Sequence, residues 1–75
     1  MSMPIEDTFA NRLKLARKSK HMTRKELSEA CDDVSSRQIF RYENGESNPV
    51  LSRAVQLANA LSVTIGWLAG EDTND

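Results

Sequence analysis

The sequence is poor in the residues that build disulfide, metal and membrane proteins. It contains one cysteine, Cys31, in 75 residues, so no internal disulfide can form and a reducing, cytoplasmic setting is expected. One cysteine and one histidine with scattered carboxylates provide no recognisable metal site. No apolar run approaches the roughly 18 residues of a spanning helix, and no segment resembles a signal peptide. We expect Cys31 to be a small buried apolar residue.

Catalytic signatures are equally scarce. Three glycines form no phosphate-cradling loop, and no nucleophile stands with a base and an orienting group. A chain this short buries only about 60–65% of the surface exposed by its unfolded form, so its core is too small to enclose a substrate. The sequence predicts one domain over residues 1–75, with no enzymatic activity, cofactor or small-molecule ligand. Residues 71–75 are interpreted as an acidic tail or the start of a linker.

Neither sign of charge dominates, because the formal net charge is −1. The charges are nevertheless separated along the chain. Acidic residues cluster near both ends and in the middle, whereas the segment 12–25 has none. Its cations are Arg12, Lys14, Arg17, Lys18, Lys20, Arg24 and Lys25. Such a run is typical either of a solvated helix surface or of a positive face that binds a polyanion.

Apolar residues recur at three- and four-residue steps, and no segment shows the alternation of a strand, so the sequence predicts five helices. The first is expected from Asp7 to Ser19. Its inner stripe is predicted to be Phe9, Leu13 and Ala16, with the cations on the remaining surface.

The second predicted helix begins at Thr23. Thr23 and Glu26 have the spacing of a capping box, and Met22 and Leu27 have that of a hydrophobic staple. The residues expected to face inward are Leu27, Ala30 and Cys31.

The third predicted helix repeats this arrangement. Ser35 and Gln38 form the capping box, and Val34 and Ile39 form the staple. The pair Asn44-Gly45 is typical of a left-handed helix end.

Asn48 is the predicted N-cap of the fourth helix, with Pro49 at its first position. Its apolar face is expected to comprise Leu51, Ala54, Val55, Leu57, Ala58 and Leu61. The last helix is predicted to start at Thr64 and to end at Gly70, carrying Ile65, Trp67 and Leu68.

The third helix has an outer face suited to base recognition. With Ile39 at the centre of the buried side, Tyr42 and Glu43 fall within about 60° of it, and Arg37 and Arg41 lie about 160° away. The other outward or flanking groups are Ser36, Gln38 and Phe40. Arginine pairs with guanine, glutamine with adenine, and apolar carbon with the thymine methyl. Two short helices across a tight turn form a helix-turn-helix, whose second helix enters the major groove.

From Phe9 to Gly70 the chain resembles the helix-turn-helix domains of the Cro/repressor type, especially the DNA-binding heads of lambdoid phage repressors. The resemblance rests on the ordered set "RLKLAR", "YENGESNP" and "LANALSVTIGWLAGE". It implies an all-α, compact five-helix globule with a central helix-turn-helix. It also implies a phage- or prophage-type transcriptional repressor that binds a pseudo-palindromic double-stranded operator in a bacterial cytoplasm, associated with the nucleoid.

The resemblance assigns roles to individual residues. Arg17 and Glu43 match a structural ion pair between the first and third helices. Homodimerisation through the C-terminal region, on DNA at least, is also implied, and Trp67 is expected in the core or in that contact. The implied base contacts are Ser36, Arg37, Gln38, Phe40 and Arg41. The implied phosphate contacts are Lys20, Thr23, Arg24, Lys25, Ser35 and Asn44.

The chain departs from the family pattern at three places. Its turn "CDDVS" is one residue longer than usual, with Asp32-Asp33 where a glycine is common, so either the second helix is extended or the turn is wider. His21 replaces a common glycine, where a left-handed backbone is expected. Glu46 occupies a position that is often basic, which weakens the expectation of minor-groove contact from that loop.

Two questions stay open from the sequence. Phe40 could contact a thymine methyl or pack against the edge of the core. The whole fold could instead serve as a protein-interaction module, such as an antitoxin or an anti-repressor partner, as the net charge of −1 and Glu46 would allow. Steep salt dependence of duplex binding distinguishes a DNA-binding protein from such a module.

Overall fold

The structure, a computed structural model, describes residues 8–70. These residues form five helices and no strand, which confirms the predicted all-α fold. The helices are α1 (Phe9–Ser19), α2 (Arg24–Glu29), α3 (Ser36–Glu43), α4 (Leu51–Leu61) and α5 (Ile65–Leu68). No helix in this part of the chain is both long enough and apolar enough to cross a bilayer.

Helix α1 begins at Phe9 in the part of the chain that the structure describes. Its N-cap is Thr8, whose hydroxyl oxygen accepts a hydrogen bond from the Asn11 amide at 3.2 Å. The predicted start at Asp7 lies outside the described residues. Threonine satisfies an amide that the first helical turn leaves without an intrahelical acceptor.

Both predicted capping boxes are present. The Thr23 hydroxyl accepts from the Glu26 amide at 3.0 Å, and the Glu26 carboxylate accepts from the Thr23 amide at 2.9 Å. Ser35 and Gln38 repeat the exchange at 3.1 and 2.9 Å. Because each box satisfies two helix-start amides, it fixes where the short helices α2 and α3 begin.

Helix α3 ends as expected at Asn44-Gly45. Gly45 has a left-handed backbone with φ of +73°. The Gly45 amide donates to the Tyr42 carbonyl and the Glu46 amide to the Arg41 carbonyl, at 3.2 and 2.9 Å. These are the two hydrogen bonds of a Schellman motif, which satisfies the last carbonyls of a helix. His21 has the expected left-handed backbone too, with φ of 58°.

The core lies between the helices, and all five of them contribute to it. Helix α3 packs against both α1 and α2, while α5 packs against α1 and α4. The buried apolar residues are Leu13, Ala16, Leu27, Val34, Ile39, Tyr42, Leu57, Ala58, Leu61 and Leu68. Phe9, Met22, Cys31 and Trp67 pack against this cluster while partly exposed.

The predicted start of the fourth helix is wrong. The N-cap is Val50, not Asn48, and it makes no side-chain capping bond. Pro49 therefore precedes the N-cap, where its missing N–H removes no helical hydrogen bond. Val50 itself has an extended backbone, with φ of −69° and ψ of 164°, so the helix begins only at Leu51.

The predicted inner face of the fourth helix is partly wrong as well. Leu57, Ala58 and Leu61 are buried, but Leu51 is 72% and Val55 40% exposed. Leu51 lies in the first turn, beyond the reach of the core residues that cover the C-terminal half of α4. Its exposure leaves an apolar surface on the outside of the domain.

Ala30 is exposed rather than inward-facing. Helix α2 has only six residues and ends at Glu29, so Ala30 is its C-cap and lies where the helical period no longer applies. The predicted solvent position of the α1 cations fails at Arg17, which is buried in an ion pair with Glu43, and at Arg12. The Arg12 side chain is buried, donates to the Trp67 carbonyl at 2.7 Å and lies 5.0 Å from the centre of the Trp67 ring.

Candidate nucleic-acid interface

The outward face of α3 carries the side chains that the helical wheel placed there. Arg37 and Arg41 are exposed, whereas Tyr42 and Glu43 are buried. Phe40 is 45% exposed. The Ser36 hydroxyl lies at the N-terminal end of the same face and is exposed as well. The outward face of α3 therefore exposes two guanidinium groups, a hydroxyl and an aromatic ring to solvent.

Gln38, another predicted base contact, has a second role in the fold. It is only partly exposed, and its side-chain oxygen accepts the Ser35 amide in the capping box. Its amide nitrogen provides two donors, which could meet a base acceptor without breaking that box. The structure thus ties Gln38 to the start of α3.

Arg41 has an acidic neighbour outside the helix. Its Nε lies 3.5 Å from Glu46 Oε1, and both side chains are about half exposed. Arg37, Phe40, Arg41 and Glu46 line one depression in the surface. An exposed pair of this kind contributes little to stability, so Arg41 can exchange Glu46 for another acceptor at small cost.

A buried ion pair fixes α3 against α1. Arg17 Nε donates to Glu43 Oε2 at 2.6 Å, and Arg17 Nη2 donates to Glu43 Oε1 at 3.1 Å. Arg17 Nη1 also donates to the Met22 carbonyl at 2.8 Å. The Glu43 side chain is fully buried. The bidentate geometry holds the rotation of α3 and hence the direction of its outer face.

Arg24 joins this ion pair, which sequence reasoning missed. Its Nε donates to Glu43 Oε1 at 3.0 Å. Its guanidinium carbon lies 5.1 Å from the centre of the Phe40 ring. The sequence shows a cation at the start of α2, but only the packing of α2 on α3 shows that it shares Glu43 with Arg17.

The other predicted phosphate contacts are divided between two places. Thr23, Lys25, Ser35 and Asn44 are exposed residues at the ends of α2 and α3 or next to them. Lys20 is exposed too, but its Nζ lies 3.3 Å from the Ser62 hydroxyl in the α4–α5 connection. The structure therefore brings the first four together around α2 and α3, and gives Lys20 a contact on another element.

The turn between α2 and α3 is held from α4. Helix α2 ends at Glu29 and α3 begins at Ser36, so residues 30–35 form the turn. The Asp32 and Asp33 amides both donate to Gln56 Oε1, at 3.0 and 2.9 Å. Arg53 Nη2 donates to Asp33 Oδ2 at 3.3 Å. Hydrogen bonds with Tyr42 and Asp33 raise the pKa of Arg53.

Cys31 lies within this turn, partly buried against the core. Burial, with a smaller contribution from the charge of Asp32, raises the pKa of its thiol. The thiol is therefore protonated at neutral pH and behaves as a small apolar group. Within residues 8–70, no group of histidine, cysteine and carboxylate side chains could hold a metal ion.

Solved structures contain the same arrangement of helices. The P22 c2 repressor protein, in complex with the synthetic operator 9T, superposes with a TM-score of 0.83 over 89% of this chain and 100% of its own, at 22% identity. The competence regulator ComR from Streptococcus vestibularis gives a TM-score of 0.77 at 27% identity. The match covers 92% of this chain but 23% of ComR.

The fold also occurs as part of an enzyme. The hydroxypropylphosphonic acid epoxidase from S. wedmorenis matches 81% of this chain with a TM-score of 0.72 and 27% identity. That match spans 32% of the epoxidase, so it brings no enzymatic role to this chain.

No curated protein matches the sequence significantly. A family model described as helix-turn-helix matches residues 13–68, which include the two capped helices and most of the core. This chain belongs to the helix-turn-helix family.

Proposed function

We propose that this protein is a transcriptional regulator that binds double-stranded DNA sequence-specifically, as a phage- or prophage-type repressor, with α3 in the major groove. The observation that carries the proposal is the outward face of α3, where Arg37, Phe40 and Arg41 are exposed. Family membership and the fold shared with the P22 c2 repressor, which was solved with an operator, support it.

Selectivity comes from the α3 face. Arg37 and Arg41 each provide a planar fork that can donate to both guanine acceptors in the major groove. Ser36 directly precedes Arg37 in α3, and Gln38 directly follows it. The buried Glu43 holds the helix in the orientation that directs these groups outward.

Affinity comes from side chains that meet phosphates. Arg12 and Arg17 are buried and partnered, so the first helix contributes fewer phosphate contacts than its sequence indicates. We assign this role chiefly to Arg24, Lys25 and Asn44, with the hydroxyls of the two N-caps. These contacts fix the position of the domain on the duplex without reading its sequence.

We further propose that two copies bind a pseudo-palindromic operator. Paired subunits would place their α3 helices about 34 Å apart, one turn of B-DNA. The α4–α5 apolar surface, which we define as Leu51, Ala54, Ile65 and Ala69, lines one groove with Phe9 and Pro49. Exposed apolar surface of this kind is typical of a contact between subunits. As the location of this function we propose the bacterial cytoplasm, at the nucleoid, because that is where such an operator would lie.

Salt dependence of duplex binding tests this function. Fluorescence anisotropy is measured with a mixed-sequence duplex between 50 and 200 mM salt. Neutralisation of several phosphates requires the affinity to fall by at least about tenfold over this range. A flat response, or no binding at 50 mM salt, would support the protein-interaction module instead, which the net charge of −1 and the position of Glu46 allow.

A further inference from the structure

Phe40 is an aromatic ring on a face that is otherwise polar. It is 45% exposed and lines a depression with Arg37, Arg41 and Glu46. The ring adds little to the core, since Ile39 beside it is fully buried and Phe40 is not. The Phe40 ring is an apolar group among cations on the face proposed to contact DNA. Such a group is suited to contact with an apolar part of a base.

The ring is held by a series of contacts that starts in the core. Arg17 binds Glu43 through two hydrogen bonds, and the Glu43 side chain is fully buried. Glu43 Oε1 also accepts from Arg24 Nε at 3.0 Å, and the Arg24 guanidinium lies over the Phe40 ring. A guanidinium fixed at one edge and stacked on a ring restricts the rotation of both side chains.

The same cluster carries one positive charge in excess. Arg17 alone compensates Glu43, and Arg24 adds a second guanidinium whose side chain is 36% exposed. Within residues 8–70, the structure shows no hydrogen bond from the two terminal nitrogens of Arg24. These nitrogens can therefore donate to a DNA phosphate while Nε stays on Glu43. A phosphate bound there would fix the neighbouring base relative to the ring.

We infer that Arg24 is a positioning residue that presents the Phe40 ring to the 5-methyl group of a thymine while it binds the adjacent phosphate. In the major groove, thymine is the base that offers a methyl group. The ring would therefore select thymine through apolar contact rather than through a hydrogen bond. This inference rests on the proposed function, because it requires α3 to lie in the major groove.

The test replaces each thymine by uracil, which removes the methyl group and leaves the pairing unchanged. The probe is the duplex that the wild-type protein enriches from a random library, with one uracil substituted at a time. Burial of one methyl group predicts that a single position per half-site weakens binding by about threefold to fivefold. Phe40→Ala removes this difference between thymine and uracil.

Arg24→Lys separates positioning from charge. Lysine keeps the positive charge but cannot stack as a plane or donate in a fixed fork. In this variant the uracil penalty, which is the loss of affinity when uracil replaces thymine at that position, falls to less than about 1.5-fold. Lys25→Ala is the matched control, since Lys25 is an exposed cation on the same helix. It weakens all duplexes and leaves the penalty unchanged. Circular dichroism verifies that each variant is folded.

The outcomes distinguish this inference from the function on which it rests. If a duplex is enriched but no thymine-to-uracil replacement weakens its binding, the thymine contact is overturned and sequence-specific binding stays intact. A uracil penalty that persists in Arg24→Lys overturns the positioning role of Arg24. Failure to enrich any sequence overturns the proposed function and this inference together.

Discussion

Arg17 and Glu43 form a bidentate ion pair across α1 and α3, with Nε–Oε2 and Nη2–Oε1 distances of 2.6 and 3.1 Å. Both side chains are buried, and the Glu43 carboxylate also accepts from Arg24. Helix α3 has only eight residues, too few to be stable by itself in water. The pair therefore determines how α3 is rotated against the rest of the domain.

We predict that Glu43→Gln strongly destabilises the domain. The substitution leaves the Arg17 charge buried without a carboxylate, which costs about 3–5 kcal/mol. A domain of this size has a free energy of unfolding of roughly 5–10 kcal/mol, so much of it would be lost. Urea denaturation measures the change. Glu46→Gln, which removes an exposed carboxylate just beyond the end of the same helix, should change stability by less than about 0.5 kcal/mol. Equal losses in the two variants would contradict this role of the pair.

A second prediction concerns the turn between α2 and α3. Gln56→Leu removes the acceptor of the Asp32 and Asp33 amides, and both become dependent on water. We expect the free energy of unfolding to fall by about 1–2 kcal/mol. Gln56→Glu keeps an acceptor oxygen and should retain most of the stability. Asn59→Ala, at an exposed position on the same helix, is the control for helix propensity. If Gln56→Leu behaves like Asn59→Ala, the turn is not held from α4.

The starts of α2 and α3 and the direction of α3 could be predicted from sequence because each depends on neighbouring residues. Capping boxes join positions three apart, and the outer face of α3 follows from the 3.6-residue period. Arg37 and Arg41 are exposed and Glu43 is buried for this local reason.

The predicted Asn48 N-cap and the predicted inward position of Ala30 failed at helix ends, where the helical period does not apply. The other errors and omissions concern partners that are distant in sequence. Arg12 is buried because it packs against Trp67 and donates to the Trp67 carbonyl. This partner is 55 residues away in sequence, so no local pattern indicates the contact. Gln56 binds the α2–α3 turn across more than 20 residues, and Arg24 shares Glu43 across 19. Leu51 and Val55 continue the apolar period of α4, but the core ends before it reaches them. Periodicity shows which residues share a face and not how far a neighbouring element extends.

A third prediction follows from the thiol of Cys31. Burial and the charge of Asp32 raise its pKa in the folded state. The folded protein should therefore bind protons more tightly than the unfolded chain at this site. The contribution of this thiol to the free energy of unfolding is fully present below the pKa that the thiol has in the unfolded chain. It is lost as the pH rises through the pKa that the thiol has in the folded protein.

Alkylation by iodoacetamide provides the measurement for Cys31. Because the thiolate is the reactive form, the folded protein should react more slowly at neutral pH than the chain in urea. Asp32→Asn removes the smaller of the two causes and should speed the folded-state reaction modestly. A folded protein that reacts as fast as the unfolded chain would contradict the burial of this thiol.

The fourth prediction tests the proposed subunit contact. Leu51→Lys places a charge on the α4–α5 apolar surface, at a residue that is 72% exposed. It should change the free energy of unfolding of the monomer by less than about 0.5 kcal/mol. Affinity for a duplex with two half-sites should nevertheless fall by at least roughly tenfold, because a buried leucine contact is lost.

Two comparisons accompany the Leu51→Lys experiment. Affinity for a duplex with one half-site should stay unchanged, because a single subunit binds it. Leu15→Lys alters an apolar residue of α1 that is 59% exposed, and it should leave binding to both duplexes unaltered. Equal binding of wild type and Leu51→Lys to the two-half-site duplex would remove this surface from the dimer contact.

Selection of bound sequences from a random duplex library, carried out in parallel with wild type, Arg37→Ala and Arg41→Ala, tests the reading role of α3 most directly. Each substitution should cost about 1–3 kcal/mol of binding free energy and relax the base preference at one or two positions per half-site. Both side chains are exposed, so the fold should persist in each variant. If both variants select the wild-type motif with undiminished preference, the outward guanidinium groups of α3 do not read the DNA sequence.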